Sequence, residues 1–196
     1  MNYDSIIFQT HSKLSTFFTK KYAICTNSYK STLISALLSL NLQNKYILVN
    51  SQYIADIVSS IHYEPVIIND INDINDIVKK IRNYQSYCFI VSHNNQFNLD
   101  KLYHICLKHN IFIIDDFRKK YNKKVKMIGE LSCFCLEKNS YINAEEGGFI
   151  LTDIEKFSNV LLSLSGYIDN PLIYNYSYRI TKMQCLFILN YIVNIT

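Results

Sequence analysis

The chain has no tryptophan, only two prolines and only four glycines in 196 residues. That scarcity excludes collagen-like repeats and loop-dominated, Pro/Gly-rich disordered segments. It also has no stretch approaching the ~18 uninterrupted apolar residues that a membrane helix needs, and Met1-Asn2-Tyr3-Asp4 opens no charged leader or signal segment. A soluble cytoplasmic protein is the expectation. Charge of either sign is sparse, with a net +4 at pH 7 and cations scattered except in Arg118-Lys119-Lys120 and Lys123-Lys124. Without an aromatic-interleaved basic stripe, that cluster predicts a solvated hairpin and no nucleic-acid partner. The six cysteines (25, 88, 106, 133, 135, 185) lack the paired spacing of a zinc site, so they read as buried, reduced thiols and no metal is expected.

What the chain does have is apolar material: 49% of residues are hydrophobic and 14% aromatic, enough for one ordinary core in a single domain spanning 1–196. Short β-rich runs fall at 22–25, 45–49, 65–68, 87–91, 111–114, 133–136 and 148–152. Between several of them apolar residues recur at helical spacing, as in Leu33, Leu37, Leu38 and Leu40, in Leu99, Leu102, Ile105 and Cys106, and in Val160, Leu161 and Leu164. Strands separated by helical segments pair in parallel through right-handed crossovers, which predicts a three-layer α/β/α sandwich around a mostly parallel, seven-stranded sheet. A long apolar helix is predicted from about Tyr178 to Ile195, with a stripe of Met183, Leu186, Phe187, Leu189 and Ile192 for a core or a subunit interface. The Asn/Asp/Ile-rich run at 68–76 reads as compositional bias.

Ligands of such sheets sit at the carboxyl ends of strands. Thr26 to Ser31, Asn50-Ser51, Ser92-His93, Asp115-Asp116 and Glu137 to Ser140 all follow strand candidates. Those are the places to look for chemistry.

Five motif regions there resemble, in order, the DegT/StrS-type sugar aminotransferases, which depend on pyridoxal phosphate (PLP) and share fold type I. The stretch Ile24-Cys25-Thr26-Asn27-Ser28-Tyr29-Lys30-Ser31 is similar to the family's strand, Asn-Ser-Gly-Thr and helix. Ile113-Ile114-Asp115-Asp116-Phe117-Arg118-Lys119 is similar to its Glu-Asp-Ala-Ala-Gln. The segment from Gly129-Glu130 through Cys133-Phe134-Cys135-Leu136 to Glu146-Gly147-Gly148-Phe149 is the most specific match, and His93 and Tyr178-Arg179 complete the series. The resemblance runs from about Lys13 to Asn190 and leaves out the family's C-terminal small domain.

The resemblance implies a cofactor site at Ser28, Tyr29, Lys30, His93, Asp116, Lys119, Cys135 and Arg179. Asp116 corresponds to the carboxylate paired with the pyridine nitrogen, which makes the ring an electron sink. Ser28, Tyr29 and Lys30 correspond to the phosphate turn at a helix N-terminus, where unpaired amides and the helix dipole suit an anion. Arg179 corresponds to a contact with the neighbouring subunit's cofactor, implying a homodimer or a heterodimer with a full-length paralogue.

Several positions depart from the pattern. Tyr29 and Lys30 stand for Gly-Thr, Arg118 for Ala and Lys119 for Gln, with further changes at Cys135, Glu145 and Ser177. For the lysine that forms the Schiff base, ungapped counting back from Glu146 lands on Ser140, whereas a compensated two-residue shift restores Lys138. Only an amine can do that chemistry. Three readings follow: a catalytically impaired or non-catalytic homologue in nucleotide-sugar and polysaccharide biosynthesis, an active aminotransferase working through Lys138, and a hydrolase with Ser140 or Cys135 as nucleophile and His93 as base.

Overall fold

The computed structural model describes residues 3–93, 99–119, 126–173 and 176–195. Lys120, Lys123 and Lys124 of the basic cluster lie outside them. Seven strands form one sheet: β1 (Tyr22–Thr26), β2 (Tyr46–Val49), β3 (Glu64–Ile67), β4 (Cys88–Ser92), β5 (Phe112–Phe117), β6 (Leu131–Cys135) and β7 (Gly148–Thr152). Their order is β1-β7-β6-β5-β4-β2-β3. All neighbouring pairs are parallel except β7 with β1 and β6, so β7 alone runs against the rest.

Helices cover both faces, as the strand–helix alternation predicts. On one face α2 (Tyr29–Ser39), α3 (Gln52–Ser59) and α6 (Glu155–Leu164) build a core with Leu33, Leu37, Ile54 and Leu161 against Ile47, Ile90 and Ile114. On the other, α1 (Tyr3–Phe17) and α7 (Lys182–Ile195) enclose Leu14, Phe134, Phe149 and Ile188, while α4 (Ile74–Tyr84) and α5 (Leu99–Lys108) enclose Ile77, Phe89 and Leu102. The three-layer arrangement with a mostly parallel seven-stranded sheet is as expected.

Three details differ from the sequence reading. The run at 68–76 is structural: its Ile68 and Ile71 are buried beside Ile77 of α4, and the Asp73 carboxylate caps α4 by accepting the Asp76 N–H at 3.1 Å. The last helix starts at Lys182 rather than near Tyr178, because Thr181 and Gln184 form a reciprocal capping box, with Gln184 N–H to Thr181 Oγ1 at 3.2 Å and Thr181 N–H to Gln184 Oε1 at 2.8 Å. Its buried stripe is Cys185, Ile188 and Ile192, whereas Met183, Leu186 and Phe187 are exposed. A helix apolar on nearly all sides carries too little periodic signal to show which face packs.

Gly148 shows how tightly α2 seats on the sheet. A Cβ there would lie 2.1 Å from Thr32 Oγ1 and 2.7 Å from the Phe134 carbonyl oxygen. Thr32 in turn shares a 2.5 Å hydrogen bond with Thr26. Among the described residues no helix is long and apolar enough to cross a membrane.

Candidate functional site

Strand β5 does not end at Ile114. It continues through Asp115 and Asp116, paired with Val91 and Ser92 of β4, so the two acids are buried strand residues facing opposite sides of the sheet rather than a polar turn. Each carboxylate must therefore find donors within the protein.

Asp116 faces α2. Its Oδ1 accepts from the hydroxyl of Tyr29 and, at 2.8 Å, from the Arg118 N–H. Its Oδ2 accepts from the Ser92 hydroxyl, which strand register brings alongside. Tyr29, the first residue of α2, is fully buried. Burial pushes its phenol well above the usual tyrosine range, and the Asp116 charge pushes further in that direction, so Tyr29 stays a protonated donor. Outside it, the Tyr53 ring lies nearly parallel to Tyr29 at 6.4 Å, and the Arg118 guanidinium sits 3.8 Å over Tyr53. The result is a closed column of Asp116, Tyr29, Tyr53 and Arg118.

Asp115 faces the other way. It accepts from Gly129 N–H at 2.9 Å, from the Ser132 hydroxyl at 2.8 Å and from His93 Nε2 at 2.7 Å. The His93 ring also stacks on Phe117, with centroids 4.5 Å apart and planes within 4°. Asp115 and Asp116 thus gather His93 and Tyr29 to separate carboxylates on opposite faces of one strand.

At the α2 N-terminus, Ser28 is the cap: its side chain accepts the Ser31 N–H at 3.1 Å, and the Ser31 hydroxyl reaches Asn27 Oδ1 at 2.9 Å. One of the amides that an anion would use is held by the turn itself. Lys30 points to solvent. Gln184 ties this turn to the Glu146-Gly147-Gly148 segment by donating to the Glu146 carbonyl at 2.9 Å.

In the loop after β6, Lys138 is exposed and Asn139 takes a left-handed φ of 74°. Ser140 is half-buried, its N–H bonds the Glu137 carbonyl at 3.0 Å, and its hydroxyl interacts with Cys135. Burial raises the Cys135 thiol above its usual value despite that contact. A thiol held protonated in this way is a poor nucleophile. With His93 committed to Asp115, no nucleophile–base pair of a hydrolase forms among the described residues. Arg179 folds back on its own chain, its Nε donating to the Gly166 carbonyl and its guanidinium 5.7 Å from the Tyr167 ring.

A cavity of about 520 Å³ opens at the carboxyl ends of β2 to β5, between Asn50, Ser92, His93, Asp116, Arg118 and Lys119. Of the residues expected at the site, His93, Asp116 and Lys119 line this cavity together. The parts played by Ser92, Tyr53 and Asp115 are not legible in the sequence, because their partners are distant in the chain. The β4–β5 register was the one signal that could have linked Ser92 to Asp116.

Toward pyridoxal phosphate, the carboxylate that would face its ring nitrogen has both oxygens engaged, one by the Tyr29 phenol and the Arg118 N–H and the other by the Ser92 hydroxyl.

Comparison with known proteins places the fold. No protein-family model matches the chain. A curated relative from Micromonospora echinospora, the putative L-glutamine:3-amino-2,3-dideoxy-scyllo-inosose aminotransferase, is 27% identical over 109 residues, a match spanning 49% of this chain and 26% of that protein. Among solved structures, a DegT/DnrJ/EryC1/StrS aminotransferase from Brucella abortus superposes with a TM-score of 0.81 at 13% identity, covering 97% of this chain and 58% of its own. NtdA from Bacillus subtilis, with bound cofactor PMP, gives 0.80 at 17% identity over 95% of this chain and 47% of its own. The chain therefore has the fold of sugar aminotransferases of this type, and it spans about half the length of the solved structures it matches.

Proposed function

We propose that this chain is a non-catalytic homologue of the sugar aminotransferases, a domain of nucleotide-sugar and polysaccharide biosynthesis that has kept the fold and closed the cofactor site with its own side chains. One observation carries the reading: the Tyr29 hydroxyl occupies the carboxylate of Asp116. Exposed Lys138 and the hydroxyl in place of an amine at Ser140 support it. In this reading the domain works by association, with a second copy or with a full-length relative.

The alternative, an active aminotransferase using Lys138, requires that lysine to leave solvent and Tyr29 to vacate Asp116. An absorbance spectrum of the purified protein with one equivalent of pyridoxal phosphate separates the two. A flat spectrum in the Schiff-base region, the same in Lys138→Ala, supports the non-catalytic reading. A borohydride-reducible band that disappears in Lys138→Ala overturns it.

A further inference from the structure

Part of the apolar stripe that the sequence predicts on α7 lies outside the core. Cys185, Ile188 and Ile192 are buried, whereas Met183, Leu186, Phe187 and Val193 are 61%, 46%, 42% and 71% exposed. At helical spacing these four fall on one side of α7, within an arc of about 120° and opposite the buried residues. An exposed apolar patch on a folded domain marks a contact surface.

Shape and charge fit this face to a copy of itself. The projecting side chains Met183, Leu186 and Phe187 belong to the first half of α7. In its second half an apolar hollow of about 370 Å³ lies between Phe17 of α1 and Leu189, Ile192 and Val193 of α7. Two copies related by a two-fold axis, with their α7 helices antiparallel, set the projections of each into the hollow of the other, and the contact is made twice. A foreign chain would have to bring both a projection and a hollow at matched spacing. The helix ends agree. Lys182 opens α7, is its only cationic residue, and leaves the last turn without a base. Antiparallel pairing carries each Lys182 to the C-terminal end of the other α7, where unpaired carbonyls hold partial negative charge. A parallel pair would instead bring the two Lys182 ammonium groups together and face hollow with hollow. The one charged side chain lining the hollow, Lys13, is exposed and keeps its water.

We propose that α7 and the adjoining side of α1 pair with the same face of a second copy, the two α7 helices antiparallel about a two-fold axis. The proposal rests on the association reading above and names its partner, while the loss of the cofactor does not depend on it. A face two helices wide lies at the low end of interface sizes, so pairing falls at roughly 10–100 µM and dilute chains are single.

Analytical ultracentrifugation at concentrations below and above that range tests it. A monomer–dimer equilibrium is expected. Phe187→Glu weakens it at least about tenfold, because the carboxylate would be buried without a partner, and Lys182→Glu weakens it at least about threefold by placing an anion on the other helix's C-terminus. Leu172→Glu, on an apolar side chain more exposed than any of the stripe but outside this face, leaves it unchanged. If circular dichroism shows Phe187→Glu to be unfolded, Met183→Glu takes its place. Orientation is read by oxidative cross-linking: Met183→Cys joins to Val193→Cys when the two variants are mixed, and Met183→Cys alone does not join to itself. The six native cysteines are buried and stay out of the reaction. A chain that stays monomeric throughout, a dimer indifferent to both glutamate variants of the stripe, or Met183→Cys cross-linked to itself would overturn the proposal. None of these outcomes alters the spectrum with pyridoxal phosphate, so the non-catalytic reading is judged separately.

Discussion

The phenol of Tyr29 hydrogen-bonds the carboxylate of Asp116, and the two residues are 87 positions apart in the chain. The bond joins the first turn of α2 to the middle of the sheet, inside the core, where a hydrogen bond to a charged acceptor is worth roughly 1.5–3 kcal/mol. Tyr29→Phe keeps the ring and removes the donor. It lowers unfolding free energy by about 2 kcal/mol in urea titrations, without changing the slope of the transition. No change would mean that Asp116 draws nothing from Tyr29.

The mixed faces of α7 give a second expectation. Ile188 is fully buried and Leu186 is 46% exposed. Ile188→Ala costs about 2–5 kcal/mol, and Leu186→Ala stays within about 0.5 kcal/mol of the parent. The reverse order in thermal melts would return the packing stripe to the Met183–Leu186 face.

Gly148→Ala is expected to be among the most damaging small changes in the chain. Its methyl group would meet Thr32 Oγ1 and the Phe134 carbonyl, one on the packed helix α2 and one in the backbone of β6, so relief requires α2 or the sheet itself to shift. A loss above about 3 kcal/mol, or failure to fold, is the expected result. A parent-like melting temperature would contradict the seating of α2 described here.

Acid sensitivity traces to His11. Burial lowers its pKa from 6.5 to about 3, and its Nε2 accepts the Cys25 N–H at 3.0 Å, which only the neutral ring can do. The unfolded chain takes up a proton below 6.5 that the folded chain refuses. Stability is therefore complete above pH 6.5 and falls as the pH drops toward 3, at up to about 1.4 kcal/mol per unit. Denaturation at pH 6.5 and pH 5, above most carboxylate titration, isolates this contribution. His11→Gln, which keeps an acceptor without a titrating ring, flattens the slope across that window. An equal slope in the variant would assign the effect elsewhere.

Much of this fold is legible in the sequence because parallel strands announce themselves as short apolar runs between helical patterns, and all seven runs are strands. The candidate site is less so. Asp115 and Asp116 look like the polar end of a strand, since the donors that allow them to be buried come from Tyr29, Ser92, Gly129 and Ser132. No local pattern advertises such partners. Motif order brought His93, Asp116 and Lys119 to one cavity, yet it could not show that the His93 ring lies against Asp115 and Phe117. Tyr29 was visible as a departure from glycine, while the destination of its side chain was not. The Asn/Asp/Ile run at 68–76 was hidden by its own monotony, although its isoleucines recur every three residues and do pack.

Whether Tyr29 closes the proposed cofactor site is measured directly by equilibrium dialysis of pyridoxal phosphate against the parent and Tyr29→Gly. The parent is predicted to retain no stoichiometric cofactor at micromolar concentration, while Tyr29→Gly, with the space before Asp116 cleared, retains more. One equivalent bound by the parent with micromolar affinity would contradict closure of the site by Tyr29.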